Sequence, residues 1–208
     1  MYTPAHFAPS PDTVESLLQH AGAANLVTMT ADGLLATLLP FVYEPSIGEH
    51  GALHAHMARN NTQWSSAGTG EALMIVQGND SYISPSWYPS KAEHGRVVPT
   101  WNYSTAHVYG ELVIHDDDAG WLGRHVRRLS NQHEAGMPRP WTVDEAPERF
   151  IAGQLKAIVG VELVITRVEA KTKLSQNRTP ADVDGVIAGL RARGDSSSAA
   201  DVERARTS

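Results

Sequence analysis

The chain contains no cysteine. Disulfides, thiolate metal centres and cysteine nucleophiles are therefore excluded. It has no apolar run near the roughly 18 residues that a membrane-spanning helix needs. Its first residues, Met1-Tyr-Thr-Pro-Ala-His-Phe7, lack the charged start and apolar stretch of a secretion signal. A cytoplasmic location away from membranes is expected. Positive charge is also scarce. Seventeen Lys and Arg face 23 Asp and Glu, for a net charge of −6. That balance argues against a broad basic face and so against direct DNA binding. There is no glycine-rich phosphate loop of the Walker or dinucleotide type. There is no Gly-x-Ser-x-Gly nucleophile elbow. His133-Glu134 has no second histidine at zinc-protease spacing, and no metal site is expected.

What is present is the composition of a soluble globular chain, 41% hydrophobic and 19% charged over 208 residues. The pattern is mainly β in the middle, with helices around it. Ser10-Pro11-Asp12 opens a helix that carries Val14, Leu17 and Leu18 on one face and stops near Gly22. Strands are predicted at 25–30, 34–42, 52–57, 72–77, 100–114 and 158–173. Asp32-Gly33 joins the first two as a tight hairpin, because both turn residues accept positive φ. Helices are predicted at 60–67, from the Asp116-Asp-Asp118 run onward, at 145–155, and from Thr179-Pro180 to about Leu190. The pattern predicts an α+β chain in which a small closed barrel carries peripheral helices, one domain over 1–193. From Gly194 the Ser/Ala/Arg/Asp-rich residues 194–208 are expected to form a disordered tail.

The richest chemistry lies in Tyr82-Ile-Ser-Pro-Ser-Trp-Tyr-Pro-Ser-Lys91 and Val98-Pro-Thr-Trp-Asn-Tyr103. Prolines belong at strand edges or turns, and buried hydroxyls and indole N–H groups need partners. Flat aromatic faces with polar edges suit the wall of a pocket for a planar, polar ligand. The plainer alternative is a proline-stiffened loop that buries its aromatics.

Two further clusters stand out. In Leu53-His-Ala-His-Met-Ala-Arg-Asn-Asn61, His54 and His56 alternate onto one sheet face. Arg59 and Asn60 follow where the strand gives way to a helix start, a place that favours a phosphate. An exposed arginine on a solvated helix is the competing reading. Lys171-Thr-Lys-Leu-Ser-Gln-Asn-Arg178 offers Lys173, Ser175, Gln176 and Arg178 to an anion or a heterocycle edge. The same residues also suit a strand end running into a capped helix, with Ser175 or Asn177 as turn formers. Composition does not choose between these.

Taken with Met1–Phe7, Val98–Tyr103 and His107, these motifs resemble the PaiB family, the FMN-binding negative transcriptional regulators. The resemblance runs from Met1 to about Leu190. It implies a split β-barrel related to pyridoxamine-phosphate oxidases, in which two subunits pair and FMN lies between them. It implies that Thr37-Leu38-Leu39-Pro40 lies along the flavin ring, and that His54 to Asn60, including His56 and Ala58, holds ring edge and phosphate. Arg59 would be the phosphate's charge partner. Trp101, Asn102 and the Tyr82, Trp87, Tyr88 segment would line the ring or the substrate side, with His107 near the substrate. Lys173, Ser175, Gln176 and Arg178 would close the site. Pro40 stands where the oxidases usually carry a lysine, a departure that argues against an oxidase-like phosphate grip from this strand. The function implied is a flavin-dependent regulator of transcription. The alternatives are an FMN-dependent oxidoreductase acting on a small molecule, and a flavin or haem carrier without turnover.

Overall fold

The computed structural model describes residues 1–68 and 70–207. Six strands carry the architecture: β1 (Ala23–Thr30), β2 (Gly33–Glu44), β3 (Ala52–Ala58), β4 (Glu71–Ile83), β5 (Thr100–His115) and β6 (Ile158–Lys173). They close into a barrel in the order β1-β2-β3-β6-β5-β4. Seven α-helices accompany them among the described residues: α1 (Pro11–His20), α2 (Gln63–Ser66), α3 (Ser90–His94), α4 (Ala119–Glu134), α5 (Glu148–Lys156), α6 (Pro180–Ala192) and α7 (Ser196–Thr207).

The chain divides into two compact units. One, the barrel unit, comprises residues 18–76 and 107–168. The other, the helical unit, comprises 1–17, 77–106 and 169–208. In the barrel unit β1 and β2 form the expected hairpin, with Thr30 opposite Gly33 and Ala23 opposite Pro40. Gly33 takes φ +113, which a Cβ would penalise. Thr30 Oγ1 closes the turn by accepting from Asp32 N at 3.2 Å and donating to Gly33 O at 2.9 Å. Alternation then fixes the inside. Leu26, Phe41, Leu53, Ala55 and Val76 are fully buried. Each large side chain among them stabilises by roughly 1.5–3 kcal/mol relative to exposure.

In the helical unit α6 and α7 pack over Ile83, Tyr88 and Leu174, through Val186, Leu190, Ala199 and Val202. This corrects the expected tail: residues 196–207 are helical. The reason is local. Asp195 accepts from Ser198 N at 3.2 Å, an N-terminal cap for α7. It also accepts from Ser81 Oγ and from Arg193 Nη2. The Ser81 hydrogen bond, followed by those from Ser198 and Arg193, pulls the Asp195 carboxyl down to about 2. The Ser/Ala/Asp composition that suggested disorder is a cap followed by good helix formers, with Ala199 and Val202 turned inward. Ser208 lies outside the described residues.

Other differences are smaller. β4 runs on through Ile83, so Tyr82 sits on a strand and not in a loop. The expected helix at 60–67 shrinks to Gln63–Ser66. The helix predicted after Asp116 begins at Ala119, with Asp118 capping it by accepting from Trp121 N at 2.7 Å.

Candidate functional site

The outer face of the barrel unit is unusual for an antiparallel sheet, whose solvent side normally carries polar residues. Across β2, β1 and β4 the register sets Leu38 beside Asn25 and Ile75, Ala36 beside Val27 and Leu73, and Leu34 beside Met29. Leu34, Leu38 and Met29 are 68%, 63% and 60% exposed. Inner and outer sides of these strands are therefore both apolar. Such a patch marks a surface that meets something.

Neighbouring residues of β2 turn opposite ways, so Leu38 faces outward while Leu39 is buried in the barrel core. Leu39 thus offers the outer face its backbone only. Thr37 ties β2 to the turn after β3. Its hydroxyl donates to Gln63 Oε1 at 2.5 Å and accepts from Asn61 Nδ2 at 3.0 Å. Gln63 is buried, and its amide donates to Leu26 O, Thr28 Oγ1 and Leu35 O at 3.1–3.3 Å. Asn61 Oδ1 accepts from Gln63 N at 2.9 Å. The turn is rigid, and it presents the exposed Ala58, Asn60 and Thr62.

Arg59 does something else than the sequence suggested. Its Nε donates to Lys156 O at 2.8 Å, and Nη2 donates to Asp116 O at 2.7 Å and Ile158 O at 3.1 Å. Lys156 ends α5, where unpaired carbonyls and the dipole favour a cation. The guanidinium is a clasp between the β3 exit, the β5 exit and the start of β6. Any service to a phosphate falls to its charge and to Nη1. Arg59→Ala is expected to lower stability by about 1.5–3 kcal/mol, the usual worth of a charge-assisted hydrogen bond. Arg59→Lys should recover only part, lacking the fork. Unchanged urea midpoints in both variants would mean that the carbonyl contacts contribute nothing.

His54 and His56 do share a face of β3, and α4 covers it. His56 Nδ1 lies 3.0 Å from His125 Nε2. His54 Nε2 is 3.4 Å from Glu162 Oε1, and His115 Nε2 is 2.8 Å from Glu162 Oε2. Trp121 stacks on His115, with centroids 4.1 Å apart and planes 11° apart, and lies over His125 at 5.2 Å. Burial lowers the pKa of His54 and His56, and drives that of His125 down to about 3. The two predicted histidines thus belong to a packed layer. Among the described residues no three His, Asp or Glu side chains assemble as a metal site. His107, on β5, is half-buried beside Tyr109 at 6.4 Å, and burial lowers its pKa as well.

In the helical unit the predicted residues fall into three groups. Tyr82 and Trp101 meet edge to face at 6.0 Å, both exposed. Lys173 Nζ donates to Trp101 O at 2.8 Å and to Thr100 Oγ1. Burial, then Lys171 and Arg178, lower the Lys173 pKa. Asn102 and Ser175 exchange hydrogen bonds at 3.0 and 3.1 Å in the interior. Ser175 has φ +69, the only positive φ outside glycine among the described residues. Gln176 Oε1 accepts from Leu174 N, and its amide donates to Thr172 O, both at 2.7 Å. Ser175 is therefore a turn builder, as the alternative reading had it, and Gln176 rather than Asn177 supports it. Tyr88 is a core residue with Arg178 over its ring at 4.6 Å, not a pocket wall. Trp87 lies under Arg193, 5.4 Å from its ring.

Sequence reasoning missed Thr37, Asn61 and Gln63 as a network, and missed His115, Trp121 and Glu162 as partners of the paired histidines. A buried glutamine two residues after an asparagine carries no periodic signal. The partners of β3 come from about 60 to about 110 residues away by the numbering, which no local pattern shows. A groove of ≈ 550 Å³ also opens in the barrel unit, lined by Trp64, Glu71, Gly110, Leu112, Ile114 and Thr166 among others, and none of the predicted site residues lines it.

Residues 1–167 match the "Putative FMN-binding domain" family. The chain is 29% identical over 192 residues to the protease synthase and sporulation protein PAI 2 of Bacillus subtilis, covering 91% of this chain and 89% of that protein. Among solved structures it is similar to the conserved hypothetical protein Rv2991 of Mycobacterium tuberculosis, with a TM-score of 0.58, 12% identity, and 86% and 94% of the two chains covered. It is also similar to an FAD and haem binding protein of Mycobacterium smegmatis, with a TM-score of 0.50, 16% identity, and 79% and 71% covered. The expected PaiB kinship and the barrel architecture agree with these findings. The chain belongs to the FMN-binding domain family, as a split-barrel protein of the PaiB type.

Proposed function

We propose that this chain binds FMN as a homodimer and serves as a flavin-dependent regulator of transcription. The observation that carries the reading is the apolar outer face of β2, β1 and β4, closed by a rigid polar turn at 58–63. A second copy of the chain covers that face. The flavin ring lies along Thr37–Pro40 with Leu38 against it, and the phosphate tail reaches Asn60, Thr62 and the positive charge of Arg59. The donor set fits: an apolar contact for the ring, uncharged donors and one cation for the phosphate. Flavin supplies electron chemistry, and the protein supplies position and polarity. The net charge of −6 favours regulation through a partner or small effector over direct contact with DNA. The names of two of the similar proteins, a sporulation protein and an FAD and haem binding protein, agree with a flavin-linked regulatory task.

The exposed Tyr82–Trp101 pair above Lys173 favours a second reading, an oxidoreductase that holds a small planar substrate there. The test is direct. Purified protein is denatured and any released small molecule identified by mass spectrometry. The stripped protein is then titrated with FMN by flavin fluorescence, and its mass in solution measured by sedimentation. Bound FMN and a dimer are expected. A monomer that ignores both FMN and FAD would sink the proposal, and haem in their place would leave the carrier reading. Turnover of bound flavin by NADH and an acceptor, with no change in transcripts on deletion, would select the oxidoreductase.

A further inference from the structure

The layer beneath α4 has chemistry that flavin binding does not use. Four imidazoles, one indole and one carboxylate meet there: His54 and His56 from β3, His115 from β5, Glu162 from β6, and Trp121 and His125 from α4. His125 is 3% exposed. Its contact with His56, nitrogen to nitrogen at 3.0 Å, works only while one of the two nitrogens is bare. Two protonated rings would point N–H at N–H. Glu162 is the layer's single carboxylate and already serves His54 and His115. Of the other charges on α4, Arg127 pairs with Asp144 and Arg128 with Glu44 of β2, both guanidiniums about half exposed, Glu134 accepts from Trp141 N, and Arg124 and His133 are exposed. Gly160 of β6 completes the fit. A Cβ there would stand 2.4 Å from the Trp121 ring.

We propose that α4 is an acid-released cover: protons taken up by the histidine layer detach the helix from β3 while the barrel stays closed. The sign follows from linkage. Burial depresses the closed-state pKa of His54, His56 and His125 below the ordinary 6.5, to about 3 for His125. The released state then binds more protons, so docking is complete above 6.5 and is lost as pH falls through the window from 6.5 down toward 3. At pH 5 His125 alone favours release by about 30-fold, and His54 and His56 act in the same direction. Released, α4 uncovers the strand that runs directly into the turn at 58–63. The proposal stands whether or not flavin binds.

Hydrogen exchange at pH 7.5 and 5.0, corrected for intrinsic rates, tests it on the intact chain. Peptides over 119–134 are expected to lose protection by 30-fold or more at pH 5, while peptides over 23–44 do not. His125→Phe, which keeps a ring and removes a titrating group, should cut that response about 30-fold. If the phenylalanine variant does not fold, His56→Gln, which keeps a hydrogen-bond partner for His125, should still reduce the response. Unchanged protection of α4 at pH 5, loss of protection across all peptides together, or a full acid response in the foldable variant would overturn the proposal.

Discussion

A Leu38→Asp protein is expected to sediment as a monomer and to carry no flavin. Leu38 stands in the middle of the apolar outer face, opposite Asn25 across the β1–β2 ladder. In a two-fold dimer one substitution places two carboxylates in the same interface. Burying an unpaired charge costs several kcal/mol even after relaxation. Association should therefore weaken by at least about 100-fold, which corresponds to about 2.7 kcal/mol. Because the flavin ring is proposed to lie along the same strand, cofactor absorbance should fall with the dimer. Phe150→Asp is the control. Phe150 is 56% exposed, on α5 and away from these strands in sequence, and its replacement should leave mass and colour unchanged. A Leu38→Asp protein that remains a yellow dimer would remove this face from the proposal. The fold would be untouched, since Leu38 contributes nothing to the core.

The second large effect lies in the helical unit. Gly185 of α6 has the Trp87 carbonyl in the space a side chain would fill: an added Cβ would stand 1.9 Å from that oxygen. One turn on, a Cβ at Gly189 would stand 2.3 Å from the Trp87 indole. The two glycines make a slot in which the Trp87 segment lies against the helix. Gly185→Val should cost about 3 kcal/mol or more, because a backbone oxygen has no rotamer by which to retreat. Calorimetry is expected to show a lower or split transition. Proteolysis should find new sites in 84–95, around α3, with the barrel unit resistant. Gly153→Ala, where nothing approaches, is the contrasting helical glycine and should be neutral or mildly stabilising. Equal midpoints for the two variants would mean that the slot does not matter.

These two variants also show what could be read from residues alone. The strands were legible because period-2 alternation, the Asp32-Gly33 turn and capped helix starts are local signals, and β6 begins and ends where the pattern placed it. The barrel followed from consecutive antiparallel strands, one hairpin and peripheral helices. The motif at 53–61 reads as a strand giving way to a helix start; the strand is there, but a turn follows it and the helix begins only at Gln63. Its charges were assigned too simply. An arginine at a helix start can serve an anion or the end of another helix, and only the arrival of Lys156 O decides. His54 and His56 were placed on one face, but the helix that covers it is 60 residues further along. Tyr88 looked like pocket chemistry because its hydroxyl is polar. Burial under α6 and α7 raises its pKa and makes it a core residue, with the Arg178 charge pulling the other way. The tail was misjudged because composition sees serine, alanine and aspartate as disorder, whereas position makes them a cap and a helix face.

The match to the FMN-binding domain family stops at residue 167, which lies inside β6. A fragment trimmed to that boundary would keep every hairpin residue and the whole histidine layer. It would lose Leu174, Val186, Leu190 and Val202, and with them the lining that shields Ile83 and Tyr88 from water. Such a fragment should clump on expression. Dissecting this protein at that family boundary would break a strand and strip away the layer that keeps Ile83 and Tyr88 dry.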